Sequence, residues 1–126
     1  MDRPRLERLR LHVLHLHKAL VDDARAALER TEGRLSAHQL LEHLLHDPDF
    51  GWLKPLSAVI VAMDEWLDAA DADPAMPIEL VAELGRLLVA EPAGDAFQRR
   101  YADLLQHSPA VILAHAAVAR ALGPGA

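Results

Sequence analysis

The run LRLHVLHLHKAL, residues 9–20, places His12, His15 and His17 within six positions of a chain that has eight histidines. Imidazole can ligate a metal, accept phosphate, act as a general base or bind haem iron axially, so the spacing of these three decides which chemistry is open. Histidines three residues apart on a helix share a face. His12 and His15 have that spacing, and His43 and His46 repeat it with Glu42 and Asp47 beside them. With a further ligand, the pairs could form a surface site for zinc or nickel, within one chain or between two. No acid completes either pair in the manner of H-E-x-x-H, and the plain alternative is a polar face using His where Lys or Gln would serve.

His17 is of another kind. On a wheel of about 100° per residue it falls inside the apolar stripe, with Val13, Leu20, Val21 and Ala24 around it. His115 likewise sits among Val111, Ile112, Val118, Ala119 and Leu122. A buried imidazole must have a hydrogen-bond partner or a ligand. Helix bundles hold cofactors on facing positions of this sort, so His17 and His115 define a candidate haem, metal or small-ligand pocket. The structural alternative is a bond to a backbone carbonyl or to a carboxylate such as Asp64. The chain has no cysteine, which excludes disulfides, thiolate metal sites, Cys nucleophiles and C-x-x-C-H haem attachment.

The remaining catalytic signals are thin. Asp22-Asp23 and Asp64-Glu65 are adjacent pairs that diverge by about 100° on a helix, so neither makes a catalytic dyad. Ser57 has no G-x-S-x-G context, and no glycine-rich phosphate loop is present. The balance favours a protein that is not an enzyme.

The elements that must position these residues are all helical. Leu6, Leu9, Val13, Leu16, Leu20, Ala24, Ala27 and Leu28 form one face of a long first helix, expected over about residues 4–30 between Pro4 and Gly33. Ser36 and Gln39 read as a capping box opening a second helix, whose Leu40, Leu41, Leu44 and Leu45 are expected to face inward. DPDFGWLKP (47–55) is a compact connection, and Trp52 within it is either a plug for the bundle end or an anchor for a partner. A third helix presents Leu56, Val59, Ile60, Met63, Trp66, Leu67 and Ala70. A surface loop follows at 71–77, and a fourth helix is expected from Pro77 to about Glu91. Asp95 can cap a fifth, and Ser108-Pro109 opens a sixth that ends at Gly123, before a disordered tail over 123–126. The expectation is an all-α, single-domain bundle of five or six helices spanning residues 1–126.

The composition agrees: 52% of the 126 residues are apolar but only 4% aromatic, so the core must be aliphatic. Net charge is −6, and between residues 37 and 95 only Lys54 and Arg86 are basic, against twelve acids. A nucleic-acid binder needs a basic footprint, which only Arg3, Arg5, Arg8 and Arg10 suggest, so nucleic acid is not an expected partner. MDRPRLERLR is not followed by an apolar segment, and no apolar stretch is long enough to span a bilayer. A cytoplasmic location away from membranes is the expectation.

Two resemblances bear on function. DPDFGWLKPLSAVIVAMDEWLD (47–68) resembles a group of small bacterial helical proteins with a D-P-x-F-x-W-L-x-P-L-S pattern and an acidic pair after it. FQRRYADLLQHSPAVILAHAAV (97–118) is similar to their C-terminal part, so the likeness covers most of the chain. That group carries no assigned activity, and the resemblance implies only a bacterial, cytoplasmic, helical protein. HLHKAL (15–20) is similar to the H-x-L-K-G core of histidine phosphotransfer domains, which implies His15 as phosphoacceptor, Lys18 offsetting the charge and Ala19 leaving room for a partner. His17 stands where that core has Leu, and Ala19 where it has Gly. The leading expectation is a helical protein that works through protein–protein contacts or self-association. A ligand-binding bundle using His17 and His115, and a phosphotransfer module using His15, are the alternatives.

Overall fold

The computed structural model describes residues 2–123, and among them there are seven helices and no strand. Helix α1 runs from Arg3 to Glu32, α2 from Ala37 to His46, α3 from Pro48 to Gly51 and α4 from Lys54 to Asp68. Helices α5 (Met76–Leu87), α6 (Ala96–His107) and α7 (Pro109–Leu122) complete the bundle. Local chemistry sets most of these ends. Asp2 accepts from the Arg5 amide ahead of Pro4, and Gly33 stops α1 at φ +81°, where other residues would be strained. Full capping boxes join Ser36 to Gln39 and Asp95 to Gln98, and Ser108 accepts from the Val111 amide to open α7.

The expected five or six helices become seven because the 47–55 connection contains α3. Asp47 ends α2 and at the same time caps α3 through the Asp49 amide, with Pro48 in the first turn. The fourth expected helix also stops earlier, at Leu87 rather than Glu91. Its last turn is tied to α6 instead of continuing: the Gln98 side-chain amide donates to the Arg86 carbonyl at 2.8 Å, and Arg86 reaches Asp95 at 3.0 Å. The 71–77 loop gives up its last residues to α5, and Ala70 lies beyond α4, exposed. At the other end, Gly123 closes α7, while the rest of the expected tail, 124–126, lies outside the described residues.

Helix α1 is the spine, with α7 along one flank and α4 along the other; α5 packs on α4 and α6 on α7. Leu6, Leu9, Val13, Leu16 and Leu20 are fully buried and meet Leu56, Met63, Leu84, Leu87, Phe97, Tyr101, Val111 and Val118 in one core. Each buried aliphatic side chain contributes roughly 1.5–3 kcal/mol, so α1 carries much of the stability.

The two flanks differ. Toward α4 a polar ladder crosses the seam: Arg3 donates to the Leu67 and Ala69 carbonyls, Arg10 pairs with Asp64, and His17 meets Ser57. Rising numbers on α1 meet falling numbers on α4, so the helices are antiparallel. Toward α7 the seam is built from alanines. Ala110 and Ala114 lie beside His15 and Ala19, while Ala117 and Ala121 lie beside Arg5 and His12, again antiparallel. Helix α2 departs from expectation. It has no fully buried residue, and Leu41 and Leu45 are 51% and 55% exposed, because it packs along α3 at the edge of the bundle. Leu40 and Leu44 alone of its leucines turn to the core.

Candidate functional site

His17 and His115 are both half-buried, and burial holds both below the ordinary imidazole value of 6.5, so both are neutral near pH 7. The structure does not bring them to one site. His17 turns toward α4, where Nε2 lies 2.9 Å from Ser57 Oγ. The expected carboxylate partner, Asp64, is instead taken by Arg10 two turns nearer the start of α1, because the antiparallel register sets 57 opposite 17 and 64 opposite 10. The Ser57 hydroxyl donates to the Leu53 carbonyl one turn back at 3.3 Å, so its oxygen accepts from His17 Nε2–H. That polarity is the reverse of a serine nucleophile, whose proton must go to the imidazole. The contact pins α1 to α4.

His115 turns toward α6. Its Nδ1 is 2.6 Å from the hydroxyl of Tyr101, a side chain with no exposed surface. Burial raises the Tyr101 phenol far above its usual value, so it stays protonated. Nδ1 is the hydroxyl's one partner among the described residues, so the phenol donates to Nδ1 and the ring proton of His115 sits on Nε2. The assignment follows from the partners, as tautomers do. His115 also borders a half-open cavity of about 330 Å³ between α5 and α7. Aromatic contact extends the same line inward: Tyr101 stacks on Phe97 at 5.5 Å, and Phe97 meets Trp52 at 5.6 Å.

The outward histidines are dispersed. His15 is exposed, whereas His12 is half-buried where α7 covers that flank of α1; with Arg5, Arg8 and Arg120 it lines a groove of about 270 Å³. His43 lies 2.7 Å from Asp47 and packs at 5.7 Å on Phe50, and His46 is 3.9 Å from Glu42. Among the described residues, no group of three or more His, Asp or Glu side chains could hold a metal ion, so His12, His15, His43 and His46 do not converge. The Lys18 that would offset a phosphate on His15 is engaged by Asp22 at 2.7 Å, and Asp22 and Asp23 border the same surface as His15. Those carboxylates disfavour a dianion there.

Two concavities meet at Trp52. One, of about 500 Å³, lies between the second half of α1, α3 and α6; the other, of about 720 Å³, opens between α3 and the start of α6. Both are lined by Trp52, Arg100 and Asp103. Trp52 is half-buried, with its inner side against Phe97 and the Arg100 guanidinium 6.0 Å from its ring. Around it stand the acids Asp23, Asp49 and Asp103 and the bases Arg30, Arg99 and Arg100. The D-P-x-F-x-W-L pattern marks Phe50 and Trp52, but apart from Asp49 of α3 the charges come from α1 and α6 and have no local signature. No described helix is long and apolar enough to cross a membrane. A scan of protein-family models and searches of curated proteins and of solved structures find no significant match to the chain.

Proposed function

We propose that the protein works by binding protein, and first a second copy of itself, at the cleft around Trp52. The observation that carries this is the pair of large concavities meeting on Trp52, Arg100 and Asp103. Trp and Arg dominate interface energetics because each offers a wide apolar surface with a polar end. The rim supports self-association in particular. A twofold interface must be self-complementary, and this rim carries three carboxylates and three guanidiniums. Leu41 and Leu45 add exposed apolar surface on α2, the helix that packs on α3. The one Ser–His contact among the described residues, Ser57 with His17, has the hydroxyl engaged by the Leu53 carbonyl, which favours a structural role for that pair.

Light scattering across a concentration series tests it. A dimer is expected for the native chain, and Trp52→Ala and Arg100→Glu are each expected to weaken it by roughly 2 kcal/mol or more, the range of interface hot spots. Trp52 emission, read in a Trp66→Phe background, should change over the same concentrations. A native chain that stays monomeric, with Trp52 emission independent of concentration, overturns the proposal.

A further inference from the structure

The cavity at His115 has a chemistry of its own. Apart from His115 its lining side chains are aliphatic, with Leu88 and Val89 after α5 and Val118, Ala119 and Leu122 on α7, and the His115 imidazole is the one side chain with polar atoms among its lining residues, the other polar groups of the wall being backbone. Gly85 of α5 completes the wall, and a Cβ built there meets no atom within 4 Å. Glycine inside a helix is unfavourable relative to alanine, and packing does not require it here. Its missing methyl is open space next to the cavity.

Because Tyr101 donates to Nδ1, His115 keeps its proton on Nε2, and that donor has no protein partner among the described residues. The volume of about 330 Å³ falls at the small end of ligand pockets. No Lys or Arg lines it to compensate a carboxylate, and no acid lines it to hold an amine. We infer that this cavity binds a small neutral apolar molecule carrying a carbonyl acceptor, such as a medium-chain ester or lactone, with His115 Nε2–H donating to the carbonyl oxygen and Gly85 leaving room for the chain. A haem iron would need a bare Nε2 here, which the Tyr101 hydrogen bond disfavours.

Ethyl hexanoate and γ-octalactone titrated into the full chain, with the His115 ring nitrogens followed by NMR, test the inference. Saturable shifts of Nε2 with both probes are expected, with hexanoate binding more weakly than its ethyl ester. Gly85→Leu and Val89→Phe, two independent ways to fill the space, should each weaken the ester by roughly tenfold or more, as a side chain occupying the ligand's volume does. His17→Gln, on the opposite flank of α1, should leave binding unchanged. Circular dichroism reports whether each variant keeps its helices, and one folded variant of the two suffices. Absence of any saturable Nε2 shift, hexanoate binding as tightly as the ester, or undiminished ester binding in a folded filled variant each overturns the inference.

Discussion

His17 and His115 are the same side chain in similar burial, each facing a hydroxyl from a neighbouring helix, yet they end in opposite conditions. At His17 the donor Nε2–H is consumed by Ser57, whose own hydrogen goes to Leu53, and the polar chain closes on itself. At His115 the donor belongs to Tyr101, so the imidazole accepts at Nδ1 and Nε2–H is left over beside a cavity. The difference lies in the partner. A serine inside a helix can return its proton to a carbonyl one turn back, whereas a fully buried phenol has only the imidazole to give it to. A buried imidazole is therefore a fastener or a free donor according to which hydroxyl meets it.

The largest effect is expected at Tyr101, because it both fills the core and sets the tautomer. Tyr101→Ala should cost about 3–5 kcal/mol in chemical denaturation, as truncation of a buried aromatic does. Tyr101→Phe keeps the ring and should cost only about 1 kcal/mol. It would also free Nδ1 of His115, so the ring-nitrogen spectrum should move from one tautomer to a mixture. A Phe variant with an unchanged spectrum would break the comparison, since the tautomer would then owe nothing to the phenol.

The fastener should measure differently. Ser57→Ala is expected to cost about 1 kcal/mol, the net worth of one hydrogen bond. In a double-mutant cycle with His17→Leu, the coupling should be about 0.5–1.5 kcal/mol, since the two groups touch. The pairing of Tyr101→Phe with His17→Leu should instead be additive within about 0.5 kcal/mol, because the sites share no partner. Coupling of similar size in both cycles would mean that the two histidines are not separate devices.

These sites were legible in the sequence to unequal degrees. The apolar stripes place His17 and His115 on inward faces, and the caps at Ser36, Asp95 and Ser108 are local chemistry readable in four residues. Asp47-Pro48 carries the same cap-and-proline signal as Ser108-Pro109 and marks α3 equally well, although it also reads as the end of α2. Which hydroxyl meets which imidazole is not local. Ser57 and Asp64 lie on the same flank of α4, and only the antiparallel register against α1 gives Ser57 to His17. The outward turn of Leu41 and Leu45 depends on α2 lying at the bundle edge, and the Trp52 cleft collects charges from three separate helices. Gly85 gives no sign of a cavity until α7 is set beside it.

A smaller and opposite effect is expected at Gly85. The space beside it accepts a methyl without displacement, so Gly85→Ala should stabilise the fold by about 0.5–1 kcal/mol through helix propensity. At His17→Gln, by contrast, a stabilising outcome is not expected, because that seam is already filled by its partners. A destabilised Gly85→Ala would show that the wall at the His115 cavity is closed.

The gentlest test is acid. Burial lowers both imidazoles below 6.5, so the unfolded chain binds protons at these positions more readily than the folded one. Their contribution is fully present above pH 6.5 and is lost progressively as pH falls below it. Glu29, held down mainly by the Leu35 amide, and Asp47, held down mainly by the Asp49 amide, lie below their ordinary 4.5 and 3.8, so their losses come at lower pH. Stability should thus decline as pH falls below 6.5, and His17→Gln and His115→Gln should each flatten part of that slope. The two parts should differ in one respect. His115 can take its second proton only by reversing the Tyr101 hydrogen bond, whereas a protonated His17 keeps Nε2–H on Ser57 and needs only a new partner for Nδ1. His115→Gln is therefore expected to flatten the slope more, and equal flattening would mean that desolvation alone, and not the identity of the hydroxyl, sets both sites.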